Sequence, residues 1–496
     1  MSMFKNTLIL LFTLLINLCD QAYSQSLSQI DANIESQAVF TTRDQVPFWM
    51  WANQYGSIPL SGASVSVIGN LTKSYEDEGS YRGRDSKLFD WGAGFEGRMN
   101  AGKEVEGILI AAYAKARLAM FELKAGRTKD ITGLVDTTLT SGAFSISGNA
   151  LGIPKVELGI PQFYALPFAG ELFAFKGNFV HGWLGKLPTQ YGNNKPTETY
   201  FHQTSLYGRF GKPDWRLKLY GGFNHNAFWG NSSNYLPFVK MNNWKEFWYT
   251  LTGKVGDDYQ SKTGNHFGTI DLGFQYDFRS TRLFAYRQQL YDIGGLYYLS
   301  NIADGLNGIS LTNTETGNRG DFRWEKIVFE FVYTKSQGGE LKARKTPSGD
   351  ENYYNSFFFT EGWSYKQLAL GNPLMTTTPA AKEGQASDPQ DFFINNRVIA
   401  FHTGFKGNFR DWDVITKLSY SINYGTYGTS AIGHSVGNEI FPPKYGLFTR
   451  VNQFSGYLET GKNLESGWKL GFIAALDAGD LYEQSVGIIA KISKQF

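Results

Sequence analysis

The sequence predicts an all-β chain: a transmembrane antiparallel β-barrel of about 18 strands, with short helical segments in loops or near the N-terminus. Three observations lead there. Long stretches alternate between apolar and polar residues, as a strand buried on one face requires. Short charged turns follow some of these stretches and long connections follow others. The composition is rich in Gly (56 residues) and aromatics (16%) and poor in charge (19%), which opposes both disorder and an Ala- and Leu-rich helical bundle.

At the N-terminus, Lys5 precedes the apolar run Thr7–Leu18, and Ala22-Tyr23-Ser24 supplies a small-x-small cleavage pattern. Residues 1–24 therefore read as a signal peptide, whose apolar part is shorter than the roughly 20 residues a bilayer demands. The single cysteine, Cys19, follows Leu18, which does not suit lipoprotein processing, so the mature chain keeps no thiol or disulfide chemistry. No later apolar run approaches the roughly 18 residues of a transmembrane helix. Residues 25–60 form an N-terminal segment in which Ile30–Phe40 alternates like a strand and Pro47–Pro59 is aromatic and bounded by prolines. Three places stay open for it: in the wall, as a plug in the lumen, or packed beneath the barrel. Residues 61–496 read as the barrel itself.

In Phe89–Ala101, one face carries Phe89, Trp91, Phe95 and Met99, and the other Asp90, Glu96, Arg98 and Asn100. Trp215–Asn226, His266–Arg279 and Arg397–Arg410 repeat the pattern. These runs exceed the roughly 5–6 residues of an ordinary strand and suit the 9–11 or so that cross a membrane. Gly211–Asp214, Arg279–Thr281 and Arg410–Asp413 are compact charged turns, whereas Asn301–Phe322 and Gly371–Phe392 read as long connections. Short turns at one rim and long loops at the other mark an outer-membrane barrel, and Trp215, Trp412 and Trp468 lie where an interfacial girdle would sit. Trp244, Phe247, Trp248 and Leu251 follow Asn242 and Asn243 at helical spacing and predict a short amphipathic helix. Val486–Phe496 alternates again and ends on Phe496, resembling the signal read by barrel insertion machinery. At about 26 residues per strand with its connection, the chain after residue 24 makes 18 strands, with 16 the nearest even alternative.

A net charge of +2 excludes a nucleic-acid binder held by bulk positive potential. His181, His202, His225, His266, His402 and His434 form no H-x-H or H-E-x-x-H pair, and Ser and His are too common for their presence alone to signal catalysis, so neither a metal site nor an enzyme is expected. Arg98, Lys115, Arg117, Arg209, Lys218, Lys406 and Lys417 fall on the polar faces. There they read as a solvated lumen paired with acids such as Glu96, Asp271 and Asp277, or as the lining of an anion-selective pore.

Seven segments together resemble the capsule assembly Wzi family of outer-membrane proteins. They are Pro47-Phe-Trp-Met-Trp-Ala-Asn-Gln-Tyr-Gly56, Gly148-Asn-Ala-Leu-Gly-Ile-Pro154, His181-Gly-Trp-Leu-Gly-Lys186 and Phe201-His-Gln-Thr-Ser-Leu-Tyr-Gly-Arg209, then Leu219-Tyr-Gly-Gly-Phe-Asn-His225, Glu361-Gly-Trp-Ser-Tyr-Lys366 and Leu370-Gly-Asn-Pro-Leu374. The resemblance implies an 18-stranded barrel with periplasmic helical material near its N-terminus. It also implies a non-catalytic, lectin-like role in anchoring or organising capsular or extracellular polysaccharide. Gln25–Val46 departs from it by reading as strand.

Sugar sites set aromatic rings against pyranose faces and ring them with amides, carboxylates or cations. The candidates are Trp49, Trp51, Asn53, Gln54 and Tyr55, then Trp183, His225, Trp229, Trp363, Tyr365 and Lys366, the last able to pair with acidic sugars. Each of the aromatics also suits an interface anchor. The expected partners are surface polysaccharide, outer-membrane lipids including lipopolysaccharide, and the insertion machinery, with no cofactor and no nucleic acid, for a monomer. The rival reading is a porin for anionic or sugar solutes.

Overall fold

A computed structural model describes residues 30–60, 62–76, 88–190, 195–236, 239–255, 262–292, 294–315 and 320–496. The expected signal peptide, residues 1–24, lies outside the described residues. The wall strands are β1 (Ile30–Thr41), β2 (Ser64–Lys73), β3 (Phe89–Ala101), β4 (Val105–Leu118), β5 (Phe121–Arg127) and β6 (Lys155–Ala165). They continue with β7 (Phe173–Leu187), β8 (Thr197–Phe210), β9 (Leu217–Trp229), β10 (Asn265–Asp277), β11 (Thr281–Tyr291) and β12 (Gly305–Asn313). The last six are β13 (Phe322–Tyr333), β14 (Val398–Phe409), β15 (Trp412–Asn423), β16 (Val451–Asn463), β17 (Trp468–Gly479) and β18 (Ser485–Gln495). Each pairs antiparallel with the next, and β1 pairs with both β2 and β18, from Asn33↔Gln495 to Thr41↔Gly487. The sheet is a closed barrel of 18 strands, not 16.

The alternation read from the sequence sets the two faces. Phe89, Trp91, Phe95 and Met99 are exposed on the outside of β3, while Asp90, Arg98 and Asn100 are buried toward the lumen. Leu217, Leu219 and Phe223 on β9, Phe401 and Phe409 on β14, and Val486, Ile488 and Ile492 on β18 extend the exposed apolar band around the barrel. Such a belt is the surface a bilayer covers.

The connections at one rim are mostly short (119–120, 166–172, 211–216, 278–280, 410–411, 464–467), and those at the other mostly long (42–63, 128–154, 230–264, 334–397, 424–450). Three break the asymmetry: 74–88 at the turn rim, and 102–104 and 480–484 at the loop rim. Trp215 lies exposed at the turn rim, with Trp412 and Trp468 half-buried at the same level.

Three expectations change. The wall begins at Ile30 rather than at residue 61, because β1 supplies the seam that closes the barrel. Asn301–Phe322 is not one long connection, since it contains β12. The apolar contrast of β12 is weak: Leu306, Gly308 and Ser310 face inward, and Asn307 on the outer face accepts from Arg287 Nη1 at 2.7 Å. The described helices are α1 (Phe48–Trp51) and α2 (Asn243–Thr252), and neither lies at the turn rim where the resemblance placed helical material.

The core sits in the lumen. Phe48, Trp49, Met50, Leu134, Phe144, Tyr354, Trp363, Leu370 and Phe393 from three long loops pack against Val180, Phe201, Phe228, Phe267 and Leu290 of the wall. A channel full of water would line its wall with polar side chains. Here the loop-side part of the lumen is packed like a protein interior.

Candidate functional site

The lumen filling is assembled by inward-facing wall groups that capture loop backbone. Asp477 accepts from Phe48 N at 2.8 Å, Asp271 from Leu134 N at 2.8 Å, and Glu330 from Ser141 N and Thr140 Oγ1, both at 2.7 Å. His402 Nε2 lies 2.7 Å from the Leu139 carbonyl oxygen. Hydrogen bonds of this kind contribute about 0.5–1.5 kcal/mol each, and about 1.5–3 kcal/mol where the acceptor is ionised. The expected pairing of inward acids with wall bases therefore holds for Asp277, 3.1 Å from Lys218 Nζ, but not for Asp271. Glu96 pairs with Lys129 of the 128–154 loop instead of with a wall base.

Most of the predicted sugar-binding aromatics are consumed by this packing. Trp49 is buried in α1: its Nε1 donates to Ser419 Oγ at 3.2 Å, its ring lies 5.1 Å from His402, and Lys417 Nζ sits 4.8 Å over it. Trp51 is buried beside it. Asn53 N donates to Asn149 Oδ1 and Tyr55 N to the Gly148 carbonyl, tying the first lumen segment to the second, while Gln54 shapes the turn between them through its carbonyl. Trp363, 1% exposed, donates from Nε1 to the Ser145 carbonyl at 2.8 Å and stacks on Phe228 at 4.5 Å. Tyr365 is buried in a small hairpin, and Lys366 is exposed at its tip with φ 54.

Trp183, His225 and Trp229 lie elsewhere, on the outer face of the wall. Trp183 is half-exposed to the surroundings. His225 is hydrogen-bonded to Tyr291 at 2.8 Å and His266 at 2.9 Å, and Trp229 is covered by Phe247 of α2. The predicted residues thus divide among lumen core, hairpin tip and outer wall, and do not form one surface. A loop aromatic reads alike in sequence whether the loop spreads outward or turns into the lumen.

What the loop rim does form is a cleft of about 600 Å³ above the filled lumen. Its walls come from loops 188–196, 230–264, 292–304, 334–397 and 424–450 and the loop end of β10, and its lining includes Asp350, Asn352, Asn355, Phe357, Asp388, Gln390, Asp391, Tyr427 and His434. The polar groups are held in place by one another. Asp391 accepts from Asn352 Nδ2 and Thr426 Oγ1, both at 2.8 Å. Asp350 accepts from Ser435 Oγ at 2.6 Å, and Gln190 Nε2 bridges the carbonyls of Ser356 and Gln390 at 2.9 and 3.0 Å. Tyr427 carries the Arg397 guanidinium 3.8 Å over its ring. Burial pushes the Asp391 carboxyl up to about 6, with Asp388 and Asp350 adding repulsion, and burial raises Asp350 as well. Phe357, 65% exposed, is the open aromatic ring of the lining.

Chemically this is an aromatic platform beside a fixed fence of amides and carboxylates, the general form of a site for a polyhydroxylated ligand. Among the described residues no group of three or more His, Cys, Asp or Glu is placed to hold a metal ion. None of the sugar-binding candidates named from the sequence lines the cleft. The available signal was the crowding of Asp, Asn and Gln in the longest connections, at Asp350-Glu-Asn352, Asn355 and Asp388-Pro-Gln-Asp391.

Neither protein-family models nor curated proteins match the chain. Among solved structures it is similar to Wzi of Escherichia coli, described as an outer membrane protein involved in group 1 capsule assembly and a carbohydrate-binding β-barrel. That match has a TM-score of 0.55 and 11% identity, over 93% of this chain and 83% of that one. It also overlays OccAB2 of Acinetobacter baumannii (TM-score 0.45, 11% identity, 95% and 98% coverage) and OccK2 of Pseudomonas aeruginosa in complex with glucuronate (0.44, 10%, 95% and 98%). The chain has the closed 18-stranded antiparallel barrel fold of outer-membrane proteins.

Proposed function

We propose that the protein is exported with a cleaved signal peptide, inserts as a monomer in the outer membrane through the barrel insertion machinery, and binds capsular or extracellular polysaccharide without catalysis. The observation that carries this reading is the loop-rim cleft, with its exposed Phe357 and fixed amides and carboxylates, set over a lumen closed by packed aromatics. The carbohydrate binding described for Wzi, on the same barrel fold, supports it. A repeating polymer presents many equal sites, so weak contacts add up along the chain and over many barrels. The ligand site moves from the aromatics expected in the sequence to the cleft, because those aromatics are buried or lie on the outer wall.

Phe357→Ala with Gln390→Ala is expected to weaken binding of the cell's own purified polysaccharide about tenfold, or ~1.4 kcal/mol. Barrel assembly, read as the shift in gel mobility on boiling, stays intact. Binding equal to wild type would overturn the site. The second reading, a diffusion pore, rests on polar spaces of about 330 and 420 Å³ lined by both lysines and carboxylates, in which Lys124, Lys129, Lys469 and Lys491 pair with Asp130, Glu96, Asp413 and Glu459.

A further inference from the structure

Helix α2 is built the wrong way round for a helix surrounded by water. Asn242 caps it, its side chain accepting from Lys245 N at 2.8 Å, and Gly253 ends it at φ 63. The face turned to the protein carries Glu246, Tyr249 and Thr250, all buried. Glu246 accepts from Gly230 N at 2.9 Å, Ser232 N at 3.2 Å and Ser232 Oγ, and burial raises its pKa. Of the apolar stripe, Trp244 (68% exposed) and Trp248 (45%) are left outside, while Phe247 and Leu251 are half-buried. A surface helix normally buries its apolar stripe and exposes its carboxylates.

The helix also lies on the outside of the barrel. Phe247, in the same stripe, reaches Trp229 at 5.4 Å, His181 at 6.3 Å and His202 at 6.4 Å. His181, His202, Ala227 and His266 form one rung across β7–β10. This rung shares the outward register of Phe179, Leu206, Phe223 and Ile270, which are exposed on the apolar wall just below it. From Leu217, where β9 leaves the turn rim, to Ala227 in this rung the wall climbs about 25 Å, at ~3.3 Å per residue and a tilt of about 40°. That is the height of the apolar band of such barrels. The histidine rung thus marks the top of the band, and the helix continues the lipid-facing surface upward.

We propose that α2 is an anchor in the outer leaflet, with the Trp244–Trp248 edge seated at the boundary between acyl chains and headgroups of the lipid around the barrel. Amphipathic rings are favoured at that depth. Around them, Lys240, Lys245 and Lys254 are the basic residues of segment 239–255, in which Glu246 is the sole acid and is turned inward. The helix also covers polar imidazoles that lipid would otherwise meet. The proposal rests on the wall spanning a bilayer and is independent of the polysaccharide reading.

Trp244→Cys, Trp248→Cys, Leu251→Cys, Phe223→Cys and Leu341→Cys, each in a Cys19→Ser chain, would carry a nitroxide in vesicles of phosphatidylethanolamine and phosphatidylglycerol. Boiling-dependent mobility checks that each is folded. Leu341, in the 334–397 loop, stands for water and Phe223, on the wall, for lipid. Labels at 244, 248 and 251 are expected to collide with oxygen, relative to a water-soluble nickel chelate, several-fold more often than the label at 341 does, approaching the ratio at 223. Position 251 keeps both indoles, so a seated helix is read there even if a tryptophan substitution loosens it. A water-like ratio at all three positions overturns the proposal. A water-like ratio at 223 as well overturns the membrane-spanning wall itself.

Discussion

Trp363 joins three parts of the molecule: it stacks on Phe228 of the wall, donates to Ser145 in one lumen loop, and belongs to another. Trp363→Ala leaves a cavity between them and is expected to cost about 3–5 kcal/mol, read as a lower unfolding temperature of the detergent-solubilised barrel. Asp391 gives a second, pH-dependent expectation. Its folded pKa of about 6 exceeds the ordinary 3.8, so between those values the folded loop binds more protons than the open one. Anchoring of residues 388–396 is then full below about 4 and declines as pH rises through about 6. Hydrogen exchange, corrected for its intrinsic pH dependence, should show that decline in wild type and a flat profile in Asp391→Asn. An unchanged wild-type profile across this window would contradict the assignment. Both roles were hidden in the sequence for one reason. Trp363 and Asp391 lie in a single connection, and the direction each faces is decided by how that connection folds back into the barrel.

At the scale of elements, legibility follows apolar contrast. β3 and β10 alternate large apolar with polar or charged residues, and their faces could be read directly. β12 sets Gly308 and Ser310 against Asn307 and Ile309, so the same period carries little signal. α2 could be read as an amphipathic helix from Trp244, Phe247, Trp248 and Leu251, but the stripe gave no hint that its surroundings were the outer wall. The lumen loops were the least legible, because their hold depends on carboxylates distant in sequence. Asp271→Asn with Glu330→Gln weakens the bonds to Leu134 N and Ser141 N. Planar-bilayer recordings should show a quiet wild type and intermittent openings in the double variant. A steady, anion-biased conductance from wild type would favour the diffusion pore.

For the molecule as a whole, composition and period were enough for the class, since both express one requirement, a long wall with two unlike faces, and chain length gave the strand number. The binding surface was not accessible in that way. It is made where five loops from separated parts of the chain meet, and each loop contributes residues that are ordinary by themselves. The seam between β1 and β18 has a further consequence. Ile30–Thr41 must find Ser485–Gln495, a pairing of nearly the greatest separation along the chain that the fold contains. Until then the first strand keeps an unsatisfied edge, and structures dominated by such distant pairings form slowly. The three lumen loops, by contrast, have their wall partners once β17 is in place, since Phe48 and Trp49 bond to Asp477 and Ser419. Biogenesis would therefore run with an interior condensing inside a still-open cylinder, and closure of the seam would be the last event, made over contents already packed.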